Sequence, residues 1–163
     1  MASGDTLAIF RPQDNEPPSG DFARLSHRNF HPVLLFKDAA TDENAIFSGI
    51  LPRNYGGGGI TVYLHWSHGA TVGNVDWDVE LERIGDQQQD IGSDSFAAAQ
   101  SADTQTVPGT SGLVDISAVT FTDGAQMDSL AVGEGFRMRV SRDGANDTAS
   151  GDAQLRFIEI KET

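Results

Sequence analysis

Residues 60–84 read ITVYLHWSHGATVGNVDWDVELERI and contain the strongest pattern of the chain. In the first half, apolar residues at every second position share one side of the segment: Ile60, Val62, Leu64 and Trp66. The second half repeats the pattern, with apolar residues at Val75, Trp77, Val79 and Leu81 and acids at Asp76, Asp78, Glu80 and Glu82. Because successive side chains of a strand point to opposite faces of a sheet, this alternation predicts two strands that each bury one face. The connector HGATVGN is rich in turn-forming residues, so we expect the strands to pair as a hairpin with both tryptophans on its buried side.

The rest of the chain contains further short segments of strand character and no long helical pattern. These segments are Leu7–Phe10, two strands within 22–36 broken near Arg28 and Asn29, Ala45–Leu51, Leu113–Phe121, Phe136–Arg142 and Ala153–Lys161. Eight to ten short strands, with at most one short helical turn near Asp123 or Asp128, indicate a sandwich or a barrel. We predict an all-β fold, an antiparallel two-sheet jelly-roll-like β-sandwich.

Three local features refine this prediction. Val114, Ile116 and Ala118 share one side of their strand. The phase of the last strand slips between Phe157 and Ile158, which predicts a bulge there or burial of both faces. Residues 85–112 are poor in apolar side chains, so we expect a long surface connection that crosses between the sheets, is pinned by Phe96 and adds a strand at Thr104–Val107.

The expected domain organisation is an N-terminal arm or strap over 1–21 and one β-sandwich domain over 22–163. Three of the six prolines lie within residues 1–21, which favours an extended segment after a brief strand at Leu7–Phe10. No internal repeat divides the remainder.

Composition excludes several classes of function. The chain has 24 acidic and 11 basic residues and a formal net charge of −13, so we expect neither nucleic acid nor an anionic membrane as a partner. It has no cysteine, and therefore no disulfide, cysteine nucleophile or cysteine metal ligand. Its first residues lack the pattern of a signal peptide, and no apolar run approaches the roughly 20 residues of a membrane span. We expect synthesis in the cytoplasm and no membrane insertion.

Two strand faces carry opposite charge. The outward face of 75–83 carries four acids (Asp76, Asp78, Glu80 and Glu82), and 136–142 presents Arg137, Arg139 and Arg142. Like charges along one strand repel each other unless opposite charges lie alongside. These residues are therefore interface candidates that meet either across neighbouring strands or across a subunit interface; the alternative is two independently solvated faces.

Metal binding and catalysis have little support in the sequence. Asp143, Asn146, Asp147 and Asp152 crowd one loop and are weak calcium candidates, but tight turns use the same residue types. The four histidines are His27, His31, His65 and His68, and their spacing does not predict a zinc site. Ser67 lies beside two of them, but the sequence lacks a nucleophile turn and a pair of carboxylates facing across a cleft. We expect no enzyme activity and no cofactor.

Two aromatic residues are candidates for stacking against a sugar. Tyr63 lies on the expected outer face of its strand, and Tyr55 lies in the glycine-rich segment 51–59. Two tyrosines are weak evidence for a glycan site, but a sandwich with such loops is a common frame for one.

Several segments resemble a group of small virion-associated proteins encoded in tailed-phage genomes, mostly of unassigned role. They are FSGILPRNYGGGGITVYLHW (47–66), GNVDWDVELERI (73–84), FTDGAQMDSL (121–130), VGEGFRMRVSRD (132–143) and SGDAQLRFIEI (150–160). The closing strands also resemble, in pattern alone, trimeric jelly rolls of the C1q and tumour-necrosis-factor type. The resemblance implies an architecture and trimerisation but no site residue.

On this basis we expect a structural protein of a phage virion. The first reading is a homotrimeric capsid decoration protein that stabilises the shell through contacts with the major capsid protein, because the chain has no shaft-like repeats. The alternative is a trimeric fibre or spike head that binds host-surface glycan through loops 51–59, 85–112 and 142–152. Copy number per particle separates these two readings.

Overall fold

Ten strands in two antiparallel sheets make up the fold of the computed structural model, which describes residues 4–163. The strands are β1 (Thr6–Phe10), β2 (Arg24–Arg28), β3 (His31–Phe36), β4 (Asn44–Ile50), β5 (Ile60–His68), β6 (Asn74–Ile84), β7 (Gln100–Thr106), β8 (Val114–Phe121), β9 (Gly135–Arg142) and β10 (Ala153–Glu162). Two three-residue 3-10 turns, Pro12–Asp14 and Ala125–Met127, lie between strands, whereas the sequence indicated at most one. The predicted all-β sandwich is confirmed.

The two sheets differ in size. The larger sheet has the order β2-β3-β10-β5-β8, and β1 pairs with the part of β10 beyond its contact with β3. The smaller sheet has the order β4-β9-β6-β7. Their inner faces enclose one hydrophobic cluster, so each strand buries one side, as the alternation predicted.

The segment 60–84 does not form the predicted hairpin. β5 belongs to the larger sheet and β6 to the smaller one, so residues 69–73 connect one sheet to the other. Trp66 and Trp77 therefore face each other from opposite sheets, with ring centroids 5.9 Å apart. Alternation specifies the buried face of a strand but not its hydrogen-bonding partner, which explains the wrong pairing.

The connector requires a glycine at Gly73. Its φ is +98°, and a Cβ there would lie 2.8 Å from the Cα of Ala149 and from the carbonyl oxygen of Thr148. The turn between the sheets is thus pressed against loop 143–152.

The N-terminal segment contributes a strand to the larger sheet. β1 pairs with β10, and Phe10 packs in the core at 5.4 Å from the ring of Phe47 and 6.4 Å from that of Phe136. Residues 1–3 of the expected arm lie outside the described residues. The division into an arm over 1–21 and a domain over 22–163 stays a prediction.

The segment 85–112 runs differently from its prediction. After β6 the chain makes a loop and comes back to the smaller sheet, where β7 pairs with β6. Residues 85–99 therefore do not cross between the sheets. The crossing takes place over residues 107–113, between β7 of the smaller sheet and β8 of the larger sheet. The additional strand starts earlier than the predicted Thr104–Val107.

Arg142 lies inside the sandwich and not on the outward face where the sequence analysis placed it. Arg142 lies an odd number of residues from both Arg137 and Arg139 along the strand. Its side chain therefore points inward and is fully buried. All five N–H groups are used: two bind the Asp147 carboxylate at 2.5 and 3.1 Å, and three bind backbone carbonyls. The carbonyls belong to Phe36, Ala149 and Gly151. This arginine fixes loop 143–152 to the end of the sandwich.

We expect Arg142→Met to lower the free energy of unfolding by about 3–5 kcal/mol, because it leaves the buried Asp147 carboxylate without its counter-charge. The melting temperature should fall by roughly 10 °C. The double variant R142M/D147N should recover part of the loss, and Arg53→Met, at an exposed arginine, should change the melting temperature little. Equal losses in the single and double variants would show that the ion pair is not the cause.

His68 predicts a pH dependence of stability. Its Nδ1 accepts a hydrogen bond from the Ala70 N–H at 2.9 Å, and its Nε2 lies 3.0 Å from the Gly151 carbonyl oxygen. Burial, together with the nearby Arg142 charge, lowers the pKa of His68 below its usual 6.5. The unfolded state then binds a proton more readily than the folded state.

The contribution of His68 to the free energy of unfolding should therefore be complete above pH 6.5 and fall as the pH drops from 6.5 towards the lowered pKa. Denaturant titrations between about pH 5 and 8 measure this slope. His68→Asn, which keeps an acceptor near Nδ1, should flatten it, and His31→Asn, at an exposed histidine, should leave it unchanged. An unaltered slope in His68→Asn would contradict the assignment.

Candidate functional site

The outer face of the smaller sheet is occupied by its own ion pairs. β6 and β9 are neighbours, and their register places Glu80 opposite Arg139 and Glu82 opposite Arg137. Both pairs form salt bridges, the second at 2.9 Å. The structure thus brings these interface candidates together across neighbouring strands of one chain.

Phe96 covers these ion pairs. Its ring lies 4.6 Å from the guanidinium carbon of Arg139 and 5.3 Å from that of Arg137. The next residue, Ala97, donates its N–H to the Leu81 carbonyl oxygen at 2.8 Å and so holds the loop on the sheet. The charges on this face are satisfied internally, and a role of the candidates in a subunit interface stays a prediction.

The two remaining acids of β6 bind β7. Asp76 accepts a hydrogen bond from the Thr104 N–H at 2.5 Å, and Asp78 accepts one from the Ser101 hydroxyl. Burial, and then nearby carboxylates, raise the pKa of Asp78 despite that hydrogen bond. These acids hold an edge strand in place.

The calcium candidates do not converge on one point. The Asp147 carboxylate is bound to Arg142, and Asp143 accepts a hydrogen bond from Asn146 at 2.7 Å. Asp152 lines a depression on the other sheet. Within residues 4–163, no group of three or more His, Asp or Glu side chains is arranged to hold a metal ion.

The outer face of the larger sheet has a different character, because it carries exposed apolar and aromatic side chains. On β8, Val114 and Ile116 are 49% and 52% exposed, whereas Ser117, Val119 and Phe121 point inward. The predicted one-sided set of Val114, Ile116 and Ala118 is therefore the outer side. Tyr63 and His65 lie next to it on β5, opposite Ala118 and Ile116.

A β-bulge adds Phe157 to this face. The register between β10 and β5 shifts between Leu155 and Phe157, one residue before the predicted position. Without the additional residue, Phe157 would share the inward phase of Leu155; with it, Ile158 continues the core and Phe157 is 38% exposed. Its ring packs edge-on against His65, with centroids 6.4 Å apart. We call Tyr63, His65 and Phe157 the aromatic strip.

A polar groove lies at the end of this face next to loop 111–112. It has a volume of about 340 Å³, and we call it the Arg28 groove. Its lining is Arg28, Asn29, His31, Val33, Ser67, Ser111, Gly112, Val114 and Arg156. A second depression of about 350 Å³ lies on the other side of Arg28.

Hydrogen bonds across three strands hold the wall of the groove. Arg28 donates from Nη1 to Gln154 Oε1 at 2.9 Å and to the His68 carbonyl oxygen at 3.4 Å, and from Nη2 to Ser111 Oγ at 2.8 Å. Ser67 donates to the same Gln154 oxygen at 3.0 Å. Gln154 itself lines the second depression, on the other side of Arg28.

The β2–β3 turn places another aromatic ring in solvent. Asn29 and Phe30 both have positive φ, 46° and 66°, and Phe30 is 94% exposed. A left-handed backbone is unfavourable for a bulky residue, and exposure provides no burial energy to offset it.

The sequence identified only part of this site. It placed Tyr63 on the outer face but also offered Tyr55, which is buried and accepts a hydrogen bond from the Gly59 N–H at 2.7 Å. The expected glycan loops 51–59, 85–112 and 142–152 do not supply the aromatic strip. Arg28, Gln154 and Arg156 escaped notice because their proximity depends on strand order; the phase slip near Phe157 was the available signal.

No helix among residues 4–163 is long and apolar enough to cross a membrane. The chain matches no protein-family model and no curated protein.

Solved structures, in contrast, share its fold. The CBM22-1 xylan-binding domain of Xyn10C from Paenibacillus barcinonensis is 12% identical, with a TM-score of 0.52, and the match covers 99% of this chain and 96% of that domain. The CBM35 domain of Abf62 from Cellvibrio japonicus has a TM-score of 0.43 at 8% identity, covering 99% and 89%. The cleaved adhesin domain K3 of Lys-gingipain from Porphyromonas gingivalis has a TM-score of 0.43 at 11% identity, covering 100% and 99%. The chain is thus similar in fold to the xylan-binding domain, whose TM-score is the only one of the three above 0.5.

Proposed function

We propose that this chain is a non-catalytic carbohydrate-binding module whose binding face is the outer face of the larger sheet. The observation that carries the proposal is the aromatic strip, which is open to solvent and continues into the Arg28 groove. The outer face of the smaller sheet differs, because Arg137 and Arg139 are paired there with acids of β6 and Phe96 packs over both arginines.

The chemistry of the face fits a sugar chain. A pyranose ring presents apolar C–H faces, which pack against aromatic rings, and hydroxyl groups at its edge, which need hydrogen-bond partners. The aromatic strip provides the first kind of contact, since aromatic side chains bury large apolar areas at small conformational cost. The groove beside it provides Ser and Asn side chains that both donate and accept hydrogen bonds.

The geometry of the face fits an extended polymer. Strands β8, β5 and β10 lie side by side, and neighbouring strands are about 4.8 Å apart, which is close to the length of one sugar ring. A chain laid across the strands would meet Ile116, His65 and Phe157 in turn. The similarity in fold to a xylan-binding domain supports a plant-type polysaccharide as the first ligand to test.

The expectation of a virion role stays a prediction. None of the three similar structures is a phage or capsid protein. Trimerisation and contacts with a capsid protein likewise stay predictions, and glycan binding is compatible with a free-standing module or a module on a particle.

We expect the chain to bind at least one soluble polysaccharide in a panel that contains xylan, mannan, β-glucan and pectin, measured by affinity electrophoresis and calorimetry. Phe157→Ala should weaken the Kd by on the order of tenfold, because one stacked ring is lost from a small site. Tyr63→Ala should have an effect in the same direction.

Ile50→Ala is the matched control, since it removes an exposed apolar side chain from β4 on the other sheet. All variants should keep the wild-type melting temperature within a few degrees. Absence of binding to every polysaccharide, or equal weakening by Phe157→Ala and Ile50→Ala, would refute the proposal.

A further inference from the structure

Basic side chains are divided unequally between the two faces of the sandwich. Five of them form salt bridges with carboxylates: Lys37, Arg83, Arg137, Arg139 and Arg142. Arg28 and Arg156 do not; within residues 4–163 neither has a carboxylate oxygen within 4 Å. Four other basic residues also lack a salt bridge within the described residues: Arg11, Arg24, Arg53 and Lys161. Arg28 and Arg156 differ from these four because they line the same groove.

Arg28 is held rigidly by neutral groups. Its three hydrogen bonds go to a carbonyl oxygen, an amide oxygen and a hydroxyl group, so its positive charge is oriented but not neutralised. A guanidinium has five N–H donors, which leaves two for a ligand. Gly112 permits this position, because a Cβ there would lie 2.6 Å from Arg28 Nη2.

Arg156 is oriented by the aromatic strip. Its guanidinium carbon lies 5.1 Å from the centroid of the Phe157 ring, a cation–π contact that leaves the N–H edge available. Arg156 is the additional residue of the β10 bulge; it lines the groove, and the bulge turns Phe157 outward beside it. Two fixed guanidinium groups therefore line one depression, and its lining contains no Asp or Glu.

We propose that the Arg28 groove binds the carboxylate of an acidic sugar, a uronic acid residue of the glycan that lies on the aromatic strip. A planar carboxylate matches the parallel N–H groups of a guanidinium and forms two short charge-assisted hydrogen bonds. Asn29, Ser67 and Ser111 line the same groove and provide partners for the hydroxyl groups of that sugar. This inference rests on the proposed function and specifies its ligand class.

Long-range electrostatics determine where on this protein a negatively charged glycan can bind. The net charge of −13 repels a polyanion everywhere except near uncompensated positive groups. An acidic glycan on this face of the sandwich should therefore bind at the groove, where two such groups lie together.

The test compares two ligands that differ only in the carboxylate: a xylo-oligosaccharide with a glucuronic acid substituent and the same oligosaccharide after reduction of that substituent to glucose. Calorimetry on the full chain should give at least about a tenfold lower Kd for the acidic ligand. Arg28→Gln and Arg156→Gln should each reduce that preference, so that the ratio of the two Kd values approaches one. Arg28→Lys keeps the positive charge but loses the parallel N–H groups of the guanidinium, so it should retain part of the preference.

Arg53→Gln is the control, because it makes the same change in net charge at an exposed arginine outside the groove. It should keep the preference for the acidic ligand. Melting temperatures identify any variant that is misfolded, and the ligand comparison on the wild-type protein needs no variant.

The outcomes separate the two proposals. Equal affinity for both oligosaccharides, with weakening by Phe157→Ala and none by the arginine variants, would overturn the acidic ligand and leave carbohydrate binding intact. Binding of neither oligosaccharide, nor of the polysaccharide panel, would overturn both. Tighter binding of a sulfated oligosaccharide than of an oligogalacturonate would show that the groove selects sulfate, and the carboxylate assignment would then be wrong.

Discussion

β10 is the strand on which the larger sheet depends, because it is hydrogen-bonded to three others. It pairs with β5 along most of its length on one side, and with β3 and then β1 on the other. Its inward residues must meet the core, while its outward residues meet solvent. A strand of ten residues with uninterrupted alternation would place Phe157 inside with Leu155. The bulge at Arg156 changes the phase once, so that Ile158 and Ile160 continue the core and an aromatic ring goes outward.

This single change in phase links folding to function. The extra residue leaves part of the ladder unpaired, and an outward Phe gains little from burial. Ile158 and Ile160 recover apolar contact inside, where each contributes on the order of 2 kcal/mol. The bulge therefore does not disrupt the core. It also places an aromatic ring beside an arginine on the exposed face of the sheet.

The sequence predicted the strands of this protein much better than it predicted which strands pair with each other. The alternation of Trp66 and Trp77 with polar neighbours identified the buried sides correctly, because side-chain period is a local property. It could not show that the two strands lie in different sheets, since β6 finds its partner β9 about fifty residues later in the chain. Charge complementarity between Glu80 and Arg139 was a signal of that long-range pairing, although it also allowed a subunit interface or two independently solvated faces.

The site was harder to predict for the same reason. Arg28, Ser67, Ser111 and Gln154 come from different parts of the chain, and only the strand order makes them neighbours. Arg142 shows the converse: a basic residue near Arg137 and Arg139 in sequence points the other way, because its position differs by an odd number of residues. Phase within a strand can be read locally, whereas proximity between strands cannot.

Arginines pair with carboxylates on the smaller sheet, whereas Arg28 on the larger sheet is held by neutral acceptors. This difference has a physical explanation. An arginine that faces a carboxylate is neutralised and contributes to stability, although an exposed pair is worth only about 0–1 kcal/mol. An arginine held by neutral acceptors gains less from folding, since its charge loses part of its hydration and gains no counter-ion. Arg28 is retained in that less favourable state by Gln154, Ser111 and a carbonyl group, three acceptors from three different segments. A rigid donor array with an unsatisfied charge contributes little to folding, and it favours an anionic ligand because most of the ordering cost is met before binding.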